Sequence, residues 1–407
     1  VDVIVRVSPA GLVDVAYDGE FLHWQVPLAN YTAIANGRFA FAARTGGANE
    51  VAYVDEINLT TTEFVGPIVI TKQPVGGNIL VGHTASFTTE VNDPARATFQ
   101  WQKKAPGAAD FVDIDGAVEA GYTTPELAAA DSLTQFRVVV TSPQNTATSD
   151  EVTITVLNLV RPTANLDIDF NFDDGQLPAD SALFNHGDPA TYPGEGVITM
   201  NGGVNDSGVL HLTDAVNSET AAFLINKEIQ GGRAVDRFVA AMDIKLESGG
   251  TPADGMSFNW GIDLVQGTVG EGEKGSGTGL SICFDTYDNT DGNPNNGVGE
   301  APAFNIRWKG VQVAHSFVTL NDIMTPGGFG ELLVGLNANG TLDMAFKGKV
   351  IFYQIPLPNF AGLTSGKFGF YARTGGANEN AWVDNIAIQA FPSALPPTIT
   401  KQPINQM

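Results

Sequence analysis

Hydrophobic and polar residues alternate along this chain in short runs. Between residues 66 and 160 the runs include Ala85–Val91, Thr98–Lys103 and Gln135–Thr141, separated by Asn, Asp, Pro and Gly. Alternation with a period of two predicts strands that bury one face. No stretch longer than about ten residues has apolar residues at the 3.6-residue spacing of an amphipathic helix.

A longer segment of the same texture begins at Pro162 and continues to about residue 392. Its apolar runs include LDIDFNF, RFVAAMDIKL, GLSICFDTY and KFGFYAR. Short strands about 8 to 12 residues apart, with Gly-rich turns between them, favour sandwiches over layered α/β folds. We therefore expect an all-β protein that contains two kinds of β-sandwich.

One heptapeptide occurs twice. RTGGANE lies at 44–50 and again at 373–379, so the copies are 329 residues apart. The same offset, without a gap, relates ITKQP at 70–74 to ITKQP at 399–403. Residues 1–78 are thus a second copy of residues 330–407, which predicts a tandem repeat with a period of 329 residues.

This repeat divides the chain into four predicted parts. Residues 1–62 are expected to be the C-terminal part of a preceding large sandwich and 66–159 a complete small domain. Residues 160–392 form a complete large domain, and 393–407 begin another small one. A sandwich that lacks most of its strands exposes apolar faces and unpaired edges. Residues 1–62 should therefore not fold alone, and we expect the natural chain to be longer.

Composition excludes several classes of protein. The 407 residues include 21 Lys and Arg against 45 Asp and Glu, a net charge of −24. This charge repels nucleic acid and anionic membrane surfaces. No run approaches the roughly 18 apolar residues of a membrane span. The single cysteine, Cys283, cannot form an internal disulfide or build a cysteine-based zinc site. We expect neither nucleic-acid binding nor membrane insertion.

The small domain resembles the immunoglobulin fold in a few residues. Trp101 lies in a predicted strand, and Asp131 precedes the strand Phe136–Val140 at the spacing of the family's Asp-x-x-x-x-aromatic turn. The family's two disulfide positions hold Thr89 and Val138. The resemblance implies an immunoglobulin-like β-sandwich without a disulfide, used as a spacer or, alternatively, as a partner-binding face.

Three polar segments of the large domain lie where predicted strands meet loops. They read PADGMSF from Pro252, GLSICFDTYDN from Gly279, and a glycine-containing stretch from Phe368 to Asp384. In this order they resemble the site-forming segments of the legume-type (L-type) lectins. The resemblance implies a concanavalin A-like jelly roll over residues 160–392 and a glycan site built from these three segments.

The second of these segments carries candidate metal ligands. Asp285, the carbonyl oxygen of Tyr287 and the side chain of Asn289 can converge as hard oxygen ligands, which suit calcium. Asp291 and Glu300, in the loop that follows, are candidates for further ligands. The alternative is that these side chains only cap turns, as Asp and Asn often do in Gly-rich loops.

The family also binds a transition metal through a Glu that precedes the metal-binding Asp and through a downstream His. Here Cys283 occupies the Glu position, and the strand AFNIRWKG at 303–310 contains no His. We therefore predict no transition-metal site.

The resemblance also implies which residues contact the sugar. Asp254 and Asn289 would hydrogen-bond sugar hydroxyls beside Gly255. The third loop would line the rim and shape selectivity through the remaining candidates, Arg373, Thr374, Gly375, Gly376, Asn378 and Glu379.

Catalysis is not expected. Jelly-roll glucanases carry their two carboxylates on a Glu-x-Asp-x-x-Glu strand, and no glutamate in this chain has Asp two positions later. The GEGEKG stretch at 270–275 matches a nucleotide-binding pattern, but no helix is predicted after it and its acidic residues would repel phosphate.

We therefore predict a repeat segment of a bacterial extracellular or cell-surface protein that recognises glycans with the help of calcium and serves adhesion. Repetition would add avidity. The alternative is a stalk or filament of lectin-like and immunoglobulin-like repeats, without sugar binding, whose partners are neighbouring repeat domains and which self-assembles. The N-terminus shows no signal-peptide pattern, so any export signal would lie outside this chain.

Overall fold

The computed structural model describes residues 1–8, 10–32, 38–44, 51–60, 66–185, 195–289 and 301–393. The chain forms two compact units. One comprises 1–71, 90–98 and 139–148, and the other 72–89, 99–138 and 149–407. These units do not follow the boundaries expected at residues 62, 66 and 159, which stay predictions.

Strands make up most of the described residues, which confirms the all-β class. The helices among them are short: α1 (Leu320–Ile323) and 3-10 turns at Pro94–Arg96, Ala129–Asp131, Val204–Asp206, Gln230–Gly232 and Gly272–Lys274. In the part of the chain that the structure describes, no helix has the length and apolar character needed to cross a membrane.

The strands of residues 1–159 are β1 (Val3–Val7), β2 (Leu12–Tyr17), β3 (Glu20–Pro27), β4 (Ile70–Lys72), β5 (Gly77–Leu80), β6 (Ser86–Thr88), β7 (Glu90–Val91), β8 (Thr98–Lys104), β9 (Val112–Asp113), β10 (Gly121–Thr123), β11 (Gln135–Thr141), β12 (Thr146–Thr148) and β13 (Val152–Leu157). Those of the remaining residues are β14 (Ile168–Phe170), β15 (Ser181–Phe184), β16 (Val197–Thr199), β17 (Val209–Thr213), β18 (Thr220–Ile225), β19 (Val235–Glu247), β20 (Gly255–Gly261), β21 (Leu280–Asp285), β22 (Ala303–Trp308), β23 (Val311–Phe317), β24 (Gly330–Leu336), β25 (Thr341–Phe346), β26 (Lys349–Pro356), β27 (Lys367–Arg373) and β28 (Asn380–Pro392).

In the first unit, β1, β2 and β3 form an antiparallel meander. Val3 pairs with Tyr17 across the first hairpin, and Leu12 pairs with Pro27 across the second. Most of the side chains of this meander are exposed. The meander is therefore a sheet without a covering layer among the described residues.

In the second unit, the residues around Trp101 form a small core. Trp101 is fully buried and stacks against Phe87, with 5.8 Å between ring centroids. Its indole nitrogen donates a hydrogen bond to the Glu119 carbonyl oxygen at 3.0 Å. Thr89 and Val138, the two positions that replace the family's cysteines, are both buried. Packing alone fills this core, while the immunoglobulin-like assignment itself stays a prediction.

The large domain is a sandwich of two sheets. The front sheet has the strand order β15-β18-β27-β20-β21-β22-β23, and the back sheet runs β16-β17-β28-β19-β24-β25-β26. Apolar side chains from both sheets fill one core, in which Phe284 of the front sheet packs edge-on against Phe346 of the back sheet at 5.1 Å. The predicted jelly-roll sandwich is confirmed at the level of these two facing sheets.

Also within the second unit, the back sheet packs against the chain that leads into it. An apolar cluster joins the two: Leu80, Leu157, Leu159, Ala241, Leu333 and Ala345. Beside it, Arg161 forms ion pairs of 2.8 Å with Asp243 and with Glu331. The start of the large domain is thus fixed to its own back sheet by apolar and ionic contacts.

Candidate functional site

Four neighbouring strands of the front sheet meet at one edge. Arg373 at the end of β27 pairs with Thr220 at the start of β18 and with Gly255 at the start of β20. Gly255 in turn pairs with Asp285 at the end of β21. Because adjacent strands are antiparallel, the end of one strand lies beside the start of the next. This edge therefore brings together all three segments that the sequence singled out.

The Ala-Asp-Gly turn is anchored by its backbone on both sides. The Asp254 amide donates to the Arg373 carbonyl oxygen at 3.0 Å, and the Thr286 amide donates to the Asp254 carbonyl oxygen at 3.2 Å. Gly255 has a φ of +128°, and a β-carbon there would lie 1.9 Å from the Phe284 carbonyl oxygen. Only glycine fits this position, because both the backbone conformation and the close approach exclude a side chain.

Asp254 lies behind the edge rather than on its surface. Its side chain is almost completely buried, and a β-carbon at Gly375 would lie 2.8 Å from its Oδ2. Burial raises the pKa of Asp254, while the Arg373 charge and a hydrogen bond with the Asn289 side chain lower it. Asp254 and Asn289, the two predicted sugar-binding side chains, thus interact with each other.

Arg373 is a counter-ion inside this site. Its guanidinium makes two contacts with Glu273, at 3.1 and 2.9 Å, and its Nε lies 3.1 Å from the Asp254 carboxylate. Glu273 is fully buried; burial raises its pKa and the Arg373 charge opposes that rise. Sequence reasoning missed Glu273, which lies in the GEGEKG stretch and carried no pattern that distinguished it from a solvated loop acid.

The third loop is tied to the loop before β18. The Thr374 amide donates to the Glu219 carbonyl oxygen at 2.9 Å, and the Thr374 hydroxyl donates to the Val216 carbonyl oxygen at 2.6 Å. Asn378 contacts Asn217 through their side-chain amides. Thr374 is buried and Asn378 is among the accessible residues of the loop. The sequence could not show that part of RTGGANE faces the protein rather than the solvent.

Gly375 and Gly376 differ in their surroundings. Gly375 covers Asp254, whereas a β-carbon at Gly376 would meet no atom within 4 Å. The Gly376 carbonyl oxygen accepts a hydrogen bond from Asn217 at 3.1 Å. Gly376 and Asn378 are thus on the open side of the loop, where a ligand could reach them.

Glu379 ends this loop at a fully buried position. Neither of its carboxylate oxygens has a hydrogen-bond donor of good geometry among the described residues. Burial raises the pKa of Glu379 to about 8, and repulsion from Asp254 and Glu273 adds to the rise, whereas the Thr286 hydroxyl lowers it. At neutral pH the protonated form of Glu379 therefore dominates.

Glu219, in the partner loop, is perturbed in the same direction. Burial raises its pKa to about 7, while a hydrogen bond from the Asp214 amide lowers it. That amide lies 2.6 Å from Glu219 Oε2. Sequence reasoning missed Glu219 as well, because no motif separates it from the other acids of this chain.

The candidate calcium ligands occupy the end of β21 and the turn after it. Asp285 is buried, and the Asn289 amide nitrogen lies 3.5 Å from the Tyr287 carbonyl oxygen. Asp291 and Glu300 lie outside the described residues. Within the described ranges, no group of three or more His, Cys, Asp and Glu residues gathers in a metal-binding arrangement. The donors at 285–289 are oxygens and so fit a hard cation in chemical type.

Cys283 is a poor metal ligand in this position. Its thiol is buried, and burial raises its pKa well above the usual range. Thiols bind metals as thiolates, and this environment disfavours that form.

Comparison with known proteins gives two findings. A domain of unknown function, DUF8696, matches residues 75–158. A search of curated proteins returned no match.

Solved lectin domains are similar to part of the chain. The exoplasmic/lumenal domain of VIP36, bound to Ca²⁺ and Man3GlcNAc, is 15% identical with a TM-score of 0.37, over 55% of this chain and 90% of that one. The Bauhinia forficata lectin in complex with GalNAc is 14% identical with a TM-score of 0.40, over 56% and 98%. The Emp47p carbohydrate recognition domain is 12% identical with a TM-score of 0.40, over 56% and 99%. At these TM-scores the likeness does not assign a function, which rests on the site itself.

Proposed function

We propose that the large sandwich binds a glycan at the edge of its front sheet. One observation carries the proposal: the pairing of Thr220, Arg373, Gly255 and Asp285 in one row joins three segments that resemble the lectin site in sequence. Sites that recognise neutral sugars need few charged groups and several fixed hydrogen-bonding groups. The rigid Asp254 turn and the amides of Asn289 and Asn378 supply such groups.

The electrostatics favour a neutral glycan. Arg373 is engaged with Glu273 and Asp254, so its charge is compensated inside the site. The whole chain has a net charge of −24. Sulfated or sialylated glycans would meet repulsion from this field, whereas uncharged hexoses would not.

Calcium has a structural part in this proposal. Asp285, the Tyr287 carbonyl oxygen and Asn289 would hold the ion, which would fix the turn that carries Asn289 next to Asp254. No catalytic step is proposed, and we expect the protein not to be an enzyme. We infer that it is an extracellular or cell-surface protein of bacteria that contributes to adhesion.

A structural role is the second candidate. The cluster around Leu159 and Leu333 and the ion pairs of Arg161 support it, because they hold the start of the large domain against the back sheet. A stalk or self-assembling filament needs such stiff junctions, and in that case sugar binding would be lost without consequence.

The test is glycan-array binding of the full chain with calcium and with a chelator. We expect retention of neutral glycans that the chelator reduces at least tenfold. Asn289→Ala, at an exposed residue, and Asp254→Asn should each reduce binding to background while the melting temperature shows that the fold is kept. Asp169→Asn, at an exposed position of β14 in the back sheet, is the matched control. Absence of binding in both conditions would reject glycan recognition and leave the structural role.

A further inference from the structure

The meander β1–β3 has the same pairing as β24–β26, 329 residues later. Val3 pairs with Tyr17 in the first copy, and Leu332 pairs with Phe346 in the second. The register shifts of the second hairpin also fall at equivalent positions in the two copies. The two segments are therefore the same piece of architecture.

A side-chain contact repeats as well. The Gln25 amide donates to Asp14 Oδ1 at 2.8 Å, and the Gln354 amide donates to Asp343 Oδ1 at 2.7 Å. Gln25 and Gln354 also share a positive φ, of 49° and 52°. Such local agreement makes position-by-position comparison of burial meaningful.

Burial of the inward face differs completely between the copies. In β24 this face is at most 2% exposed, at Leu332, Val334 and Leu336. The matching residues of β1 keep their apolar character but are 63, 62 and 48% exposed, at Val3, Val5 and Val7. An apolar strand face of this size rarely stays open to water, because its burial stabilises the folded state by about 25 cal/mol for each Å².

All the elements that cover this face in the second copy come from one segment. Phe346, the counterpart of Tyr17, packs against Phe284 at 5.1 Å and Phe304 at 5.7 Å in the front sheet. The open edge of β24 is paired by β19. Both sources lie within residues 160–329.

The residues after the meander show the same difference. Phe368 and Phe370 are fully buried in β27, which lies between β18 and β20. Their counterparts Phe39 and Phe41 are 64 and 63% exposed. Neither described stretch of this region, 38–44 or 51–60, forms a strand.

We propose that the apolar face of β1–β3, together with residues 38–60, binds a further copy of the segment 160–329 that belongs to the same polypeptide. The two would complete a second sandwich like that of residues 160–392. A separate molecule is the less favourable source, because its own segment 160–329 is already covered by its residues 330–392 and would have to release them.

The test compares the full chain with an extended chain that has a copy of residues 160–329 placed ahead of Val1. In this extension Phe329 precedes Val1 as it precedes Gly330 in the native sequence. Hydrogen exchange is followed on peptides from residues 1–60. We expect the amides of 3–28 and 38–44 to exchange at least 100-fold more slowly in the extended chain, while residues 330–392 keep their protection.

Two variants of the extended chain check the face. Val5→Asp should abolish the added protection of 38–44, since its counterpart Val334 is in the core. Arg6→Asp, on the opposite side of β1 by strand alternation, should leave that protection in place. Equal exchange in the extended and unextended chains would overturn the proposal. Protection that rises with the concentration of the unextended chain would also overturn it, because a second molecule would then be the partner.

Discussion

Replacing Glu379 by Gln should remove much of the loss of stability that this protein suffers as the pH rises from about 5 to about 9. Burial raises the pKa of Glu379 to about 8 in the folded chain, and its model value is 4.5. Between these two values the folded chain keeps a proton that the unfolded chain has released. Unfolding therefore releases a proton, and stability falls as the pH rises through this window. Below it both states are protonated and the stabilisation is complete.

The magnitude follows from the width of the window. Each pH unit inside it costs about 1.4 kcal/mol for one proton, so a window of about three units corresponds to roughly 4 kcal/mol. Glu219, whose pKa burial raises to about 7, contributes a decline of the same sign over a narrower range. The Glu379→Gln variant should keep that smaller decline. Gln resembles the protonated acid in shape and charge, so near pH 5 the variant and the native chain should differ by less than about 1 kcal/mol.

The assay is equilibrium unfolding in urea near pH 5, 7 and 9, with a chelator present so that cation binding does not contribute. Circular dichroism and intrinsic fluorescence should report the same transition. Glu228→Gln, at an exposed glutamate of the same unit, is the matched control and should follow the native curve. If Glu379→Gln shows the same slope with pH as the native chain, Glu379 is ionised in the folded state and the reasoning from its burial is refuted.

Two further substitutions test the ion pairs and the small core. Arg373→Met leaves the Glu273 and Asp254 carboxylates without their counter-ion and should reduce the free energy of unfolding by about 3 kcal/mol at pH 7. The loss should be smaller at pH 5, and Glu273→Gln in the same chain should recover part of it; an unchanged midpoint in urea would contradict this role. Trp101→Ala removes a fully buried side chain that stacks on Phe87, and should cost about 3 to 5 kcal/mol in the same measurement. A cost below about 1 kcal/mol would show that Trp101 is not a core residue.

The sequence predicted the strands of the front sheet better than their burial. Alternation in β21 separates Leu280, Ile282 and Phe284 from Ser281 and Cys283, which suggests one polar face. All of β21 is nevertheless buried. The polar face is covered by the turn at 272–274, and a β-carbon at Gly275 would lie 2.3 Å from the Ser281 hydroxyl. A covering loop of this kind has no periodic signal, so it could not be anticipated.

The candidate site was predicted in part. The three segments were identified from their motifs, and the sheet brings them to one edge. Glu273 and Glu219 were missed because an acid in a Gly-rich loop reads as solvated, and only the packing around it shows burial. Arg373 and Glu379 belong to the repeated RTGGANE, yet one faces an internal ion pair and the other is fully buried. Identity between repeats therefore did not distinguish ligand contact from internal structure.

The two copies of the 329-residue repeat separate what the sequence determines from what tertiary structure decides. The meander β1–β3 forms with the same register as β24–β26, because consecutive hairpins need only neighbouring residues and the turns between them. The matching stretch 38–44 forms no strand, whereas 367–373 becomes β27 and buries Phe368 and Phe370. β27 obtains its backbone hydrogen bonds from β18 and β20, more than 100 residues away. The same kind of sequence is thus exposed in one place and core in the other, because the strands that pair with it and the sheet that covers it are present only in the second.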